Sequence, residues 1–317
     1  MTLPPEFALI ARHFRPLAGE GGLDLSDDAA LLTPPAGQEL VLAADAMVAG
    51  IHFLPDDPPD TIGRKLLRVN LSDLAAMGAA PLAYLMTVAL PHGTADIWLA
   101  GFVSGLAEDQ RRFGLRVLGG DTVSTPGPLT LSLTILGHVP PGAAIRRSGA
   151  RPGDDLWVSG TIGDGALGLR AIRGELADDG TLAARYRLPE PRLALGQGLR
   201  GLATAMLDVS DGLVQDSGHL ARLAGCGATI EAAAIPLSPR ARAADPAWRE
   251  AILAGGDDYE LLFGAPPHAA PAIEAAARAA ATPVTRIGVF TSAHAAVMVR
   301  DEAGRDITPA RGGWSHT

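Results

Sequence analysis

Apolar residues along this chain follow two alternating rhythms. Runs such as Leu40-Val41-Leu42-Ala43-Ala44 have the length of a strand, whereas the stretch 61–77 returns to apolar positions every three or four residues. The alternation predicts strands over 39–44, 82–89, 116–118 and 129–139, with helices over 61–77 and 94–113 between them. A stretch rich in Gly, Pro and Arg over 140–154 reads as a linker. A second series follows it. Strands are expected over 155–159, 205–209, 228–231, 259–264, 284–290 and 295–299, and helices over 165–172, 191–202, 212–224 and 269–281. The polar segment 175–191 reads as an irregular excursion, and no internal repeat is visible. The order predicts an α/β (α+β) fold in two domains, 1–145 and 146–317.

At 317 residues and 47% hydrophobic, the chain has material for a sizeable core. Its net charge of −9 argues against a nucleic-acid partner, which requires a basic face. An acidic protein that binds phosphates has to recruit cations. Cys226 is the single cysteine, which excludes an internal disulfide and a cysteine metal cage and leaves a buried thiol as the expected role. The first residues lack a signal-peptide core and no apolar run is long enough to span a bilayer, so no membrane partner and a cytoplasmic location are expected. Among 26 basic residues only Lys65 is a lysine. It follows Gly63-Arg64, so no Walker-type phosphate loop exists, and bound phosphates would rely on cations and arginines such as Arg146-Arg147.

The chemistry lies in aspartates placed where apolar runs stop. Asp27-Asp28 precedes Ala29-Ala30-Leu31-Leu32, Asp45 ends the run from Leu40, Asp121 follows Gly119-Gly120, and Asp208 and Asp211 flank Val209-Ser210. Asp73 sits inside the helical stretch Asn70-Leu71-Ser72-Asp73-Leu74. A carboxylate beyond a strand end points toward the crevice where α/β enzymes hold ligands, and several together call for divalent cations such as magnesium. Each aspartate taken singly is equally well a turn former or helix cap. Gly163-Asp164-Gly165-Ala166-Leu167-Gly168 matches a dinucleotide fingerprint, but no strand ending in an acid follows within about twenty residues. Those glycines are therefore expected to form a tight turn. His52, seven residues after Asp45, lies within reach of the same crevice.

Together these blocks resemble the thiamine-monophosphate kinase family of the aminoimidazole ribonucleotide synthetase-like superfamily. The run Asn70-Leu71-Ser72-Asp73-Leu74-Ala75-Ala76-Met77-Gly78 carries most of the resemblance, with Asp45-Ala46-Met47-Val48-Ala49-Gly50-Ile51-His52-Phe53, Gly119-Gly120-Asp121-Thr122, Asp208-Val209-Ser210-Asp211-Gly212 and Gly255-Gly256-Asp257-Asp258-Tyr259-Glu260 in order around it. The matching blocks run up to Gly313-Trp314-Ser315-His316. The resemblance implies two α/β domains, the N-terminal one binding metal and ATP and pairing by its sheet into a homodimer. It implies phosphorylation of thiamine monophosphate to thiamine diphosphate by ATP, with Mg2+ held by Asp28, Ala43, Ala44, Asp45, Asp73, Asp121, Asp208 and Asp211. ATP would contact Gly120, Asp121, Arg147 and Ser210; thiamine monophosphate would contact His52, Asp257 and Trp314. Asp121, Arg147 and Asp211 would act in the transfer itself. Three departures stand out. Ala43-Ala44 replace a hydroxyl pair and leave only backbone carbonyls, Asp257 replaces a glutamate, and Asp24-Leu25-Ser26 replace Gly-Ile-Gly. A ligase of the same superfamily that activates an amide oxygen, and a non-catalytic nucleotide sensor, are the alternatives.

Overall fold

The computed structural model describes residues 4–245, 247–293 and 296–315. The chain forms two compact units, one holding residues up to Leu74 together with Ala80–Gly142, the other Ala75–Ala79 and the chain from Ala143 onward. The first unit opens with a short helix α1 (Pro5–Leu9) and irregular turns, then runs β1 (Glu39–Val48), α2 (Pro59–Ala76), β2 (Ala80–Pro91), α3 (Asp96–Phe113), β3 (Arg116–Thr125) and β4 (Thr130–Val139). Its sheet has the order β1-β4-β2-β3, antiparallel except for the β2–β3 pair. One face is buried: Val41, Met47, Leu131, Leu133, Ile135, Met86 and Val88 lie beneath the helices, and Tyr84 donates its hydroxyl to Gln110 of α3. The opposite face carries Leu40, Leu42, Leu85 and Val123, all exposed, with Leu42 at 62% and Val123 at 43%.

Strands β1 and β3 run well past the predicted 39–44 and 116–118. The prediction stopped where the apolar run stopped, but this sheet has one open face, so the ladder continues through polar residues without a burial cost. Asp45 and Asp121 therefore lie within strands, not beyond their ends, which corrects the expected placement.

The second unit contains β5 (Asp155–Ser159), α4 (Asp164–Ile172), α5 (Thr181–Arg187), α6 (Leu193–Gly198), β6 (Ala205–Asp208), α7 (Leu213–Ala224), β7 (Gly227–Glu231), α8 (Pro239–Ala244), α9 (Arg249–Ala254), β8 (Leu261–Ala265), α10 (Ala270–Ala279), β9 (Val284–Thr291) and β10 (Val297–Arg300). Its six-stranded sheet has the order β10-β7-β9-β5-β8-β6. Both faces of the central strands are buried. Leu156, Val158, Leu207 and Leu262 pack with Leu213, Leu220 and Ile252 on one side; Trp157, Met206 and Phe263 pack with Leu195, Leu199 and Ile273 on the other. This double burial explains why β5, β6 and β8 read as unbroken apolar runs. Cys226 lies in the first of these cores with 1% exposure, and burial raises its thiol pKa. Helix α5 corrects the expected irregular excursion over 175–191: Leu182 and Tyr186, four residues apart, supply a buried stripe too short for periodicity to reveal. Helices α8 and α9 were likewise not predicted. Residues 295 and 316, where an expected strand began and a matching block ended, lie outside the described residues.

Candidate functional site

In the first unit the Asn70–Asp73 turn of α2 faces β1. The Asn70 side-chain oxygen accepts the Asp45 amide at 3.2 Å, while its nitrogen donates to the Leu66 carbonyl at 2.9 Å. Residues three apart share a helix face, so Asp73 points the same way and shares a hydrogen bond with Asp45. Burial raises the Asp45 pKa; His52 and Asp73 pull it partly back. His52 is fixed by its surroundings. Its Nδ1 accepts the Val48 amide at 3.0 Å, and the Lys65 ammonium, itself buried, donates to its carbonyl at 3.2 Å. Since a backbone amide can only donate, Nδ1 is the unprotonated nitrogen and Nε2 carries the proton. The one lysine thus supports a loop and does not itself line a phosphate loop.

Asp121 stands apart from this group. The register aligns Asp45 with Leu133, Met86 and Gly120 across the sheet, and Asp121 with Thr87 and Ser132 one row on. Asp45 is on one edge strand and Asp121 on the other, three strand spacings or about 14 Å of sheet apart. Asp45 pairs with buried Leu133 and lies on the helix-covered face, whereas Asp121 pairs with exposed Thr87 on the open face. Asp121 accepts the Thr122 amide at 2.8 Å. The segment carrying Asp28 is stitched to the β3 side, with the Gly19 amide on the Val117 carbonyl at 2.9 Å and the Leu31 amide on the Gly21 carbonyl at 2.8 Å. At Gly120 an added Cβ would sit 1.7 Å from the Met86 carbonyl oxygen, so this glycine is required by the neighbouring strand. Ala43 and Ala44 lie on the β1 edge strand, where alternate carbonyls point away from the ladder.

In the second unit four expected site residues meet. Ser210 accepts the Asp257 amide at 2.9 Å through its carbonyl, Val209 accepts the Tyr259 amide at 2.8 Å, and the Asp211 carbonyl accepts the Trp314 amide at 2.9 Å. Asp257 and Tyr259 have φ of 65° and 53°, conformations that side chains other than glycine adopt only when neighbours hold them. Asp208 is buried at the end of β6. Arg147 is exposed on a segment whose preceding carbonyl, of Arg146, accepts the Met206 amide at 2.9 Å. Arg147 and Asp211 both act on His219: burial, then Arg222 and Arg147, hold the imidazole pKa below its usual range, and Asp211 pulls it upward.

Three buried acids that motif reasoning did not single out hold this arrangement. Asp216 accepts the amides of Ser210, Asp211 and Gly212, each at 3.1 Å. Burial, with Asp208 and Asp211 nearby, pushes its pKa up to about 8. Asp258 accepts the amides of Gly163 at 2.8 Å and Gly165 at 3.0 Å, and burial pushes its pKa up to about 7. The apparent dinucleotide fingerprint is thereby explained, because the N-terminal anion position of α4 is filled by the chain's own carboxylate. Glu260, fully buried, is clamped by Arg185 at 2.9 Å, Arg192 at 2.7 Å and the Ser159 hydroxyl at 2.6 Å. An acid in the first turn after Asp211-Gly212 was a legible capping signal for Asp216. Glu260 had no such signal, since its arginines are 68 and 75 residues away.

Comparison with known proteins gives a consistent picture. Residues 26–139 match the family described as AIR synthase related protein, N-terminal domain, and residues 151–300 match its C-terminal domain. The thiamine-monophosphate kinase of Caulobacter vibrioides is 48% identical over 99% of this chain and 91% of its own length. The crystal structure of thiamine-monophosphate kinase from Stenotrophomonas maltophilia is similar with a TM-score of 0.81 at 40% identity, covering 87% of this chain and 89% of that one. A structure of AaThiL complexed with AMPPCP and TMP is similar with a TM-score of 0.78 at 28% identity, covering 100% of both chains.

Proposed function

Because this chain belongs to the thiamine-monophosphate kinase family, we propose that it transfers the γ-phosphoryl group of ATP in line to thiamine monophosphate, releasing ADP and thiamine diphosphate. The carrying observation is the junction of Ser210, Asp211, Asp257 and Trp314 in the second unit, drawn from three distant parts of the sequence. The AaThiL complex with an ATP analogue and TMP supports the same pair of ligands.

The acceptor needs no side-chain base. The second pKa of a phosphate monoester is about 6, so its attacking oxygen is already largely unprotonated at neutral pH. What the protein must supply is alignment and charge neutralisation. In the first unit Asp45 and Asp73, with carbonyls of Ala43 and Ala44, would hold Mg2+, as would Asp28 and Asp121 apart from them; in the second unit Asp208 and Asp211 would do so. Held there, Mg2+ would supply charge neutralisation for the phosphate oxygens. The donor set fits, since it is all oxygen, and the half-buried Asp45 and Asp73 already bring two carboxyl groups within hydrogen-bond distance of each other. Arg147 offers a planar guanidinium to the transferring group, with Gly120 and Ser210 beside the nucleotide. His52 donates through Nε2 to the acceptor phosphate, Asp257 takes a polar group of the acceptor, and Trp314, 48% exposed, gives its face to the thiazolium cation.

The first unit is proposed to pair with that of a second copy through its four-stranded sheet, whose exposed leucines support a homodimer. A cytoplasmic location with no nucleic-acid or membrane partner completes the reading. The test is ADP release across a small panel of phosphate and amide acceptors, with and without Mg2+. Release that requires both Mg2+ and thiamine monophosphate is expected. Turnover with an amide acceptor instead indicates the ligase chemistry, and nucleotide binding without release indicates a sensor.

A further inference from the structure

Gln215 has no assigned role, yet it touches both halves of the second unit's constellation. It lies on the first turn of α7, four residues after Asp211, which precedes the helix N-cap Gly212. Its Nε2 donates to the Asp211 carboxylate at 3.0 Å and to the Trp314 carbonyl at 2.7 Å, which engages both amide hydrogens. Its backbone amide donates to the Gly312 carbonyl at 3.0 Å, and the Trp314 amide returns to the Asp211 carbonyl at 2.9 Å. The segment at 312–314 can approach this closely because residue 313 is glycine: a Cβ there would lie 2.6 Å from the Gln215 Cβ and 2.8 Å from the Asp211 oxygen. Two acceptors on one amide nitrogen also fix the amide orientation, since the reversed rotamer would set oxygen against oxygen at both contacts.

We propose that Gln215 is a positioning residue that latches the C-terminal segment to the Asp211 loop, so that cation occupancy at Asp211 sets how tightly the Trp314 face holds an aromatic-cation acceptor. The coupling rests on the kinase reading above; the latch itself does not. Each acceptor takes one hydrogen of the same amide, so the side chain ties the Asp211 carboxylate to the Trp314 carbonyl. A cation that fixes the Asp211 carboxylate thereby fixes the amide and, through it, the carbonyl that carries the ring. Linkage requires the reverse effect to be equal: acceptor binding tightens cation binding by the same factor.

The test uses the full chain and two near-isosteric variants. Gln215→Met keeps the length and removes both donors; Gln215→Glu keeps the length and sets a like charge beside Asp211. Amide hydrogen exchange over 312–315 is measured first, without any ligand, and is expected to be about tenfold faster in Gln215→Met. Unchanged exchange overturns the latch. Affinity for thiamine monophosphate is then measured with and without Mg2+ and a non-hydrolysable ATP analogue. Wild type is expected to bind about fivefold tighter with them, and Gln215→Met to show a ratio near one. Its KM for the acceptor should rise while kcat at saturation stays within about threefold, a split that general destabilisation does not produce. Gln215→Glu should be the weaker variant at low Mg2+ and recover as Mg2+ rises. A wild-type ratio preserved in both variants overturns the coupling. Absence of thiamine monophosphate binding by wild type removes the kinase reading and the coupling with it, while the exchange result still decides the latch.

Discussion

Asp258 shows how a single buried carboxylate can hold a loop and impose a pH dependence. Its ordinary pKa of 3.8 rises to about 7 in the folded chain because burial outweighs the two amides that stabilise its charge. Between those values the folded state binds the proton more tightly than the unfolded chain does, so stability falls as pH rises from about 4 toward about 7. The thermal midpoint of the ligand-free protein should therefore decline across this window. Asp258→Asn, which has no proton to release, should show a shallower decline together with a lower midpoint at pH 5, where it loses one of the two amide contacts. The proposed metal carboxylates predict a different signature. Asp121→Asn and Asp211→Asn should abolish turnover while circular dichroism and thermal midpoint stay close to wild type, since Asp121 is exposed and Asp211 only half-buried. Wild-type rates in either variant would remove that residue from the metal set.

Among the elements, close backbone approaches account for the glycines in the motifs. A Cβ at Gly165 would lie 2.2 Å from the Asp257 carbonyl oxygen, at the turn where α4 meets the strained segment 256–260. Gly165→Ala is expected to displace Asp257 and raise the KM for thiamine monophosphate, with a stability loss of about 1–3 kcal/mol from overpacking, readable in paired kinetic and denaturation measurements. The same turn should fail to bind NAD in an equilibrium titration, because Asp258 already fills the helix terminus. Gly120→Ala should be harsher. Its Cβ would collide with the Met86 carbonyl and part β3 from β2, so loss of soluble folded protein is expected, not a selective loss of ATP affinity.

For the molecule as a whole, the first unit's open sheet face is the feature a monomer leaves unexplained. Leu40, Leu42, Leu85 and Val123 expose apolar surface on one side of a sheet whose other side is packed. Leu42→Glu leaves that packed face untouched, so it should shift the sedimentation of the protein from dimer to monomer without lowering its helix and strand content. A monomeric wild type would remove the proposed homodimer.

The sequence alone determined which residues would be strands and helices wherever burial imposed a full period, as in β5, α3 and α7. It also determined the family, through the Asn70–Gly78 run. That run is legible because Asn70 and Asp73 act locally, one helical turn apart against β1. The sequence did not determine where β1 and β3 end, because an open sheet face lets the ladder outlast the apolar run. Nor did it show that Asp45 and Asp121 project from opposite faces at opposite edges of one sheet, which follows from strand order and from the one-residue bulge beside Leu85. The clamp of Arg185 and Arg192 on Glu260 and the Gln215 bridge from Asp211 to Trp314 join residues tens of positions apart. No local preference encodes such pairs; only tertiary packing, by enclosing a charge that must then find its partners, decides them.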